Sequence, residues 1–180
     1  MIVLNGQNEI DENVRTKVVI GKFDGVHAGH KKLISEITKP VDGFKSLVFT
    51  FSFASKAIVD EKDRIMSKEE QYRIFEELNV DYLVVFDLTE DMAKMEPEDF
   101  ARNILVKNLH CGEIVCGPDL SFGYKGRGNV ALLKEMEKEL NIKVTIIDKV
   151  QYKGEDISSS RIRKALNDGD FYNADKMLGR

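Results

Sequence analysis

The chain holds 180 residues, 42% hydrophobic and 32% charged, with 13 Gly, 3 Pro, 2 Cys and no Trp. That is the size of one domain, able to bury roughly 70% of its unfolded surface, so intrinsic disorder is excluded. Its 27 Lys and Arg against 31 Asp and Glu give a formal net charge of −4, whereas a protein that lives on nucleic-acid backbone carries a basic excess. No nucleic-acid partner is expected, and an anionic ligand has to be held by a local cluster of donors. No apolar run approaches the roughly 18 residues of a membrane helix. Met1–Gly6 lacks the basic-then-apolar pattern of an export signal. No membrane partner and a cytoplasmic location are expected. Cys111 and Cys116 fit neither a disulfide framework nor a zinc knuckle and read as reduced, buried thiols.

Taken in chain order, Lys17–Gly21 is a short apolar run closed by Gly. A helical stretch follows from about Gly29 to Thr38, with Leu33, Ile34 and Ile37 on one face and Pro40 ending it. Ser46–Phe51 is a strand. Ser67-Lys68-Glu69-Glu70 has the form of a capping box and opens a helix with the stripe Tyr72, Ile74, Phe75 and Leu78. Tyr82–Phe86 is a buried strand, and Pro97 opens a helix carrying Phe100, Ile104 and Leu105. Glu113–Gly117 is a strand, Val130–Leu140 a helix and Lys143–Ile147 a strand; short helices begin near Ser158 and Phe171. Strands alternating with helices call for one α/β domain built on a parallel sheet with helices on both faces. Such folds take ligands beyond the carboxyl ends of their strands.

Three segments merit attention for that reason. After the first long strand stands Gly21-Lys22-Phe23-Asp24-Gly25-Val26-His27-Ala28-Gly29-His30. Two histidines three apart at a helix start share a face, Gly29 lets a ligand approach the backbone, and the free N–H groups there favour a phosphate. Histidines satisfying only neighbouring backbone are the bland alternative; a metal site lacks a third ligand at a recognisable spacing. After Gly117, Pro118–Gly128 interleaves Gly123, Gly126 and Gly128 with Lys125 and Arg127, which describes a basic binding loop or equally a mobile surface turn. Near the end, Ser158-Ser159-Ser160-Arg161-Ile162-Arg163-Lys164 puts hydroxyls and cations where a helix start usually carries acids, and a bound anion would compensate them. A solvated basic face is the weaker alternative. Ile162, Ala165 and Leu166 form that helix's buried stripe.

H-x-G-H straight after a strand resembles the nucleotidylyltransferase superfamily. In register, GKFDGVHAGH, CGPDLSFG and ISSSRIRKALNDGDFYNADKMLGR resemble the FMN adenylyltransferase (FAD synthetase) module of bacterial bifunctional riboflavin kinase/FAD synthetases, and the likeness covers essentially the whole chain. Three motifs in one order make chance an inadequate explanation.

The resemblance implies a Rossmann-like nucleotidylyltransferase fold over residues 1–180, with ATP and FMN as substrates, Mg²⁺ accompanying ATP and FAD as product. It implies a catalytic set of His27, His30, Ser159 and Arg163, with the imidazoles and the guanidinium gripping one triphosphate from two facing helix starts. It places Gly21, Phe23, Asp24, Gly25, Gly29, Ser158, Ser160 and Arg161 around ATP, and Asp119, Phe122, Gly123, Lys125 and Arg127 in the substrate cleft; no protein metal ligand is named. Lys22 replaces the family's Asn, and Thr50-Phe51-Ser52-Phe53-Ala54-Ser55 stands where the family has T-F-x-P-H-P, so the flavin-side residues are not assigned. The riboflavin kinase module is absent from this chain, the kinase being supplied by another domain or protein. Two alternatives stay open: an H-x-G-H nucleotidyltransferase acting on a different phosphate ester, and a catalytically degenerate flavin- or nucleotide-binding protein.

Overall fold

A computed structural model describes residues 1–5, 10–52, 64–87 and 89–180. The first half runs β1 (Ile2–Asn5), β2 (Arg15–Ile20), α1 (Ala28–Ile37), β3 (Phe44–Phe51), α2 (Lys68–Glu77), β4 (Tyr82–Phe86) and α3 (Glu90–Ala93). Next, α4 (Pro97–Asp99) passes directly into a π-helical segment, Phe100–Asn108, and then β5 (Cys111–Cys116). The remainder is β6 (Ser121–Phe122), a 3₁₀ turn (Tyr124–Gly126), β7 (Gly128–Asn129), α5 (Val130–Leu140) and β8 (Lys143–Ile146). It closes with β9 (Gln151–Tyr152), β10 (Glu155–Asp156), α6 (Ser159–Asn167) and α7 (Phe171–Leu178).

Six strands form one parallel sheet in the order β1-β4-β3-β2-β5-β8. The side-chain period of two sorts its strands onto two faces. Val18, Leu47, Phe49, Val84, Ile114 and Cys116 point to a core covered by the π-helical segment and α5. Val19, Val48, Leu83 and Val115 point the other way, under Ile34 and Ile37 of α1 and Phe75 of α2. Full burial of each such side chain is worth about 1.5–3 kcal/mol. The expected doubly wound architecture is therefore present. The order in which successive strands are added reverses between β2 and β5, which opens a crevice beyond their carboxyl ends. A third, smaller core of Ile157, Ile162, Ala174, Met177 and Leu178 joins α6 to α7.

Three features differ from the sequence reading. Ile2–Asn5 forms an edge strand paired with β4 that four apolar-leaning residues alone do not announce. Lys17, read as part of an apolar strand, is buried and faces Glu113 at 3.8 Å. The helix begun by Pro97 is mostly π-helical, with Leu109 N–H donating to Ile104 C=O, five residues back, at 3.1 Å. Cys111 and Cys116 are free and buried as expected, and burial raises their thiols to about 12 and about 11. Among the described residues no helix is long and apolar enough to cross a membrane.

Candidate functional site

The crevice is a cavity of about 510 Å³ whose walls come from the ends of β2, β3, β5 and β8 and from the starts of α1 and α6. On the α1 side, the chain leaves β2 through a strained turn. Phe23 (φ 51°) and Val26 (φ 34°) occupy positive φ without being glycine, and both are buried. That turn delivers His27 to the helix N-cap, where its Nδ1 accepts the backbone N–H of His30 at 3.3 Å. Since Nδ1 acts as acceptor, the proton of the neutral ring is assigned to Nε2. The rings of His27 and His30 stack at 3.6 Å, and the Phe23 ring meets His30 edge-on at 5.0 Å. Gly29 leaves room for this stack: a Cβ there would lie 3.2 Å from the His27 ring, which would have to shift.

Burial lowers the His27 imidazolium pKa to about 4. Burial, and after it the neighbouring His27, hold His30 well below the usual histidine value. At neutral pH the pair consists of two uncharged donors. Nδ1 of His30 is buried without a hydrogen-bond partner among the described residues.

The opposite wall is the start of α6. Ser158 caps the helix, its Oγ accepting Arg161 N–H at 3.3 Å. Ser159 Oγ donates to the Asp24 carbonyl at 2.7 Å, and Arg163 Nη1 meets the buried Asp24 carboxylate at 2.6 Å. Asp24 also accepts Ile65 N–H at 3.0 Å, so one aspartate fastens α6 to the turn that positions His27. The α1 and α6 starts thus share a cavity, as anticipated, but with a correction. The hydroxyls of Ser158 and Ser159 are engaged internally, so this wall offers the backbone N–H groups of Ser159 and Ser160, ahead of the capped Arg161 N–H. Arg163 stands behind the wall on Asp24 rather than within it.

Of the residues singled out from sequence, Gly21, Phe23, His27, Gly29, His30, Ser158, Ser159 and Asp119 line the cavity. Asp24, Gly25, Ser160, Arg161 and Arg163 do not. The Asp24 carboxylate is engaged by Arg163 and by Ile65 N–H, outside the cavity lining. Gly25 (φ 88°) instead packs under Ile65, which a Cβ would approach to 3.0 Å. Ser160 Oγ lies 3.4 Å from Arg163 Nη2, on the side of α6 that carries the ion pair. Arg161 is turned to the β9–β10 ribbon, donating to the carbonyls of Tyr152 (3.0 Å) and Glu155 (2.9 Å).

The expected cleft loop is packed against its neighbours. Phe122 is buried against Phe100, at 5.6 Å between rings, and Gly123 (φ 69°) packs so tightly on Pro97 that a Cβ would come within 2.7 Å of its Cα. Lys125 lies over the Tyr124 ring, and Arg127 is paired with Glu96 beside a separate hollow. Gly123 and Gly128 let β6 and β7 pack closely against Pro97. Phe53, Ala54 and Ser55 lie outside the described residues.

Sequence reasoning missed two residues here. Lys149, just beyond β8, lines the cavity and pairs with Asp119 at 2.9 Å and Asp156 at 3.6 Å. Its position after a parallel strand was the available signal. Gln71, inside an apolar helix stripe, is fully buried against the turn after β2.

A doubly wound sheet whose switch-point cavity is bordered by two helix N-termini and a pair of neutral imidazoles defines an α/β protein with a donor-lined cleft. The model of the family described as FAD synthetase matches residues 9–161, and the chain belongs to that family. A Listeria monocytogenes protein named FAD synthetase is 32% identical over 168 residues, covering 90% of this chain and 68% of its own length. A bifunctional riboflavin kinase/FMN adenylyltransferase from Buchnera aphidicola subsp. Schizaphis graminum is 32% identical over 174 residues, 93% of this chain. The chain spans only 56% of that protein's length. A crystal structure described as a macrolide-efflux protein from Streptococcus pneumoniae matches with a TM-score of 0.81 at 28% identity, covering 99% of this chain and 62% of that one.

Proposed function

We propose that this chain transfers AMP from ATP to FMN, forming FAD and releasing pyrophosphate. The observation that carries the proposal is the cavity shared by the α1 and α6 starts in a chain of the FAD synthetase family. An oxygen of the FMN phosphate attacks the α-phosphorus of ATP, and the bond from that phosphorus to the bridging oxygen of the β-phosphate breaks. A phosphate monoester has its second pKa near about 6, so the nucleophile is already ionised at neutral pH and needs no general base. The protein's task is then to position two polyanions and stabilise the charge that shifts to the leaving pyrophosphate.

Neutral His27 donates from Nε2 and His30 from its ring N–H. A single well-placed donor of this kind is worth about 2.7–4 kcal/mol. The first-turn N–H groups of α6 and the positive end of its dipole hold the pyrophosphate end, while Arg163 keeps α6 in place through Asp24. Ile20, Phe51, Leu120 and Ile147 give the cavity an apolar side suited to planar rings. Among the described residues no group of three or more His, Cys, Asp or Glu stands together as a metal cage. Mg²⁺ brought with ATP would be held by phosphate and water. A riboflavin kinase acting beforehand, on another domain or protein, would supply the FMN.

Chromatography of a mixture of the protein, FMN, ATP and Mg²⁺ tests the proposal. FAD and pyrophosphate are expected in equal amounts. FMN and ATP recovered intact, or AMP transfer only to another phosphate ester in a parallel panel, would overturn it.

A further inference from the structure

We propose that Gln71 is a positioning residue for adenylyl transfer, holding the β2–α1 turn so that Phe23 keeps His30 in place; the inference rests on the activity proposed above. Gln71 sits in α2 with no solvent exposure. Its Nε2 donates to two successive backbone carbonyls, those of Lys22 (3.2 Å) and Phe23 (3.0 Å). Two carbonyls facing one end of the amide fix its orientation, because the flipped amide would set oxygen against oxygen. Its Oε1 is then buried with no hydrogen-bond partner among the described residues.

A buried orphan acceptor is unfavourable, and a methionine or leucine of similar reach would fill the space without one. What the amide supplies and an apolar side chain cannot is a pair of donors to the peptide units flanking a strained residue. Phe23 is held at φ 51°, and its carbonyl also accepts Val26 N–H at 3.1 Å, closing the turn. Phe75, one helical turn beyond Gln71, packs edge-on against the Phe23 ring at 5.7 Å. One face of α2 therefore supports both the backbone and the ring of Phe23, and that ring abuts His30. Gln71 touches no substrate; it acts through Phe23.

The test compares Gln71→Met, Gln71→Glu and a control, Leu133→Ala, whose site is buried in the core on the other face of the sheet. Wild type is assayed first for FAD formation, so a failure there is charged to the proposed function. Gln71→Met is expected to lower kcat per folded molecule about tenfold or more, with KM for FMN changed less than about threefold, and to weaken ATP binding by calorimetry about tenfold. Leu133→Ala is expected to lose thermal stability yet keep both. In Gln71→Glu a neutral carboxyl retains one donor and a carboxylate none, so its rate relative to wild type should rise as pH falls. Unchanged kcat and ATP affinity in folded Gln71→Met would overturn the inference. Should that variant not fold, a pH-independent rate ratio for Gln71→Glu would overturn it equally.

Discussion

Replacing His27 by Asn separates its two roles, because Asn is among the best helix N-caps and does not titrate. In the native protein the His27 pKa is lowered to about 4, against 6.5 for a free imidazole. Between those values the unfolded chain binds more protons than the native one, so the contribution is complete above pH 6.5 and is lost as pH falls toward 4. Linkage over the interval from about pH 7 to about pH 5 gives a loss of about 2 kcal/mol from this one residue. With a urea slope of about 2 kcal/mol/M, the midpoint of wild type should fall about 1 M further than that of His27→Asn across that interval. His30, lowered chiefly by its own burial and only secondarily by His27, titrates in the same direction in both proteins, so the difference reports mainly on His27. Urea unfolding at the two pH values decides it. Parallel losses in both proteins would show that His27 is not held neutral by the stack and the turn.

His30→Ala should lower FAD formation at least about tenfold, the equivalent of about 1.4 kcal/mol, with its circular dichroism spectrum retained; an unchanged rate would remove His30 from the chemistry. Arg163→Ala leaves the Asp24 carboxylate with Ile65 N–H alone and should cost about 1–3 kcal/mol in urea unfolding while weakening ATP binding more than FMN binding; equal weakening of both ligands in calorimetry would contradict its placement behind the phosphate wall. Gly123→Ala forces a side chain at positive φ into Pro97 and should destabilise by about 2 kcal/mol or more, seen as a lowered melting temperature; a melting temperature equal to wild type would contradict the packing at β6.

How far the sequence reveals this site depends on how local each interaction is. His27, Gly29 and His30 lie within one helical turn, so their spacing alone shows that two imidazoles share a face across a residue without a side chain. The fold was legible for a similar reason: the continuous apolar run Tyr82–Phe86 and the helical spacing of Val130–Leu140 are each contained in one short segment. The cations of the last motif are legible as residues but not as partners. Nothing in Ser-Ser-Ser-Arg-Ile-Arg reveals that Arg163 meets Asp24, 139 residues away, or that Arg161 meets hairpin carbonyls. Glycines mislead most at Gly123 and Gly128, where closeness to Pro97 looks, in a sequence, like flexibility. Gln71 and Lys149 bear no motif, because their roles arise only when the chain has closed on itself.

The small core uniting α6 and α7 gives the two walls of the cleft unequal foundations. The imidazole wall is anchored in the central sheet, while the amide wall stands on a small core with five buried apolar side chains and is tied to Asp24 by the Arg163 ion pair and the Ser159 hydrogen bond. Trimming Met177 would therefore loosen the start of α6 while leaving the six-stranded sheet in place: an annex to the building, shifted on its own footing, with the main frame intact.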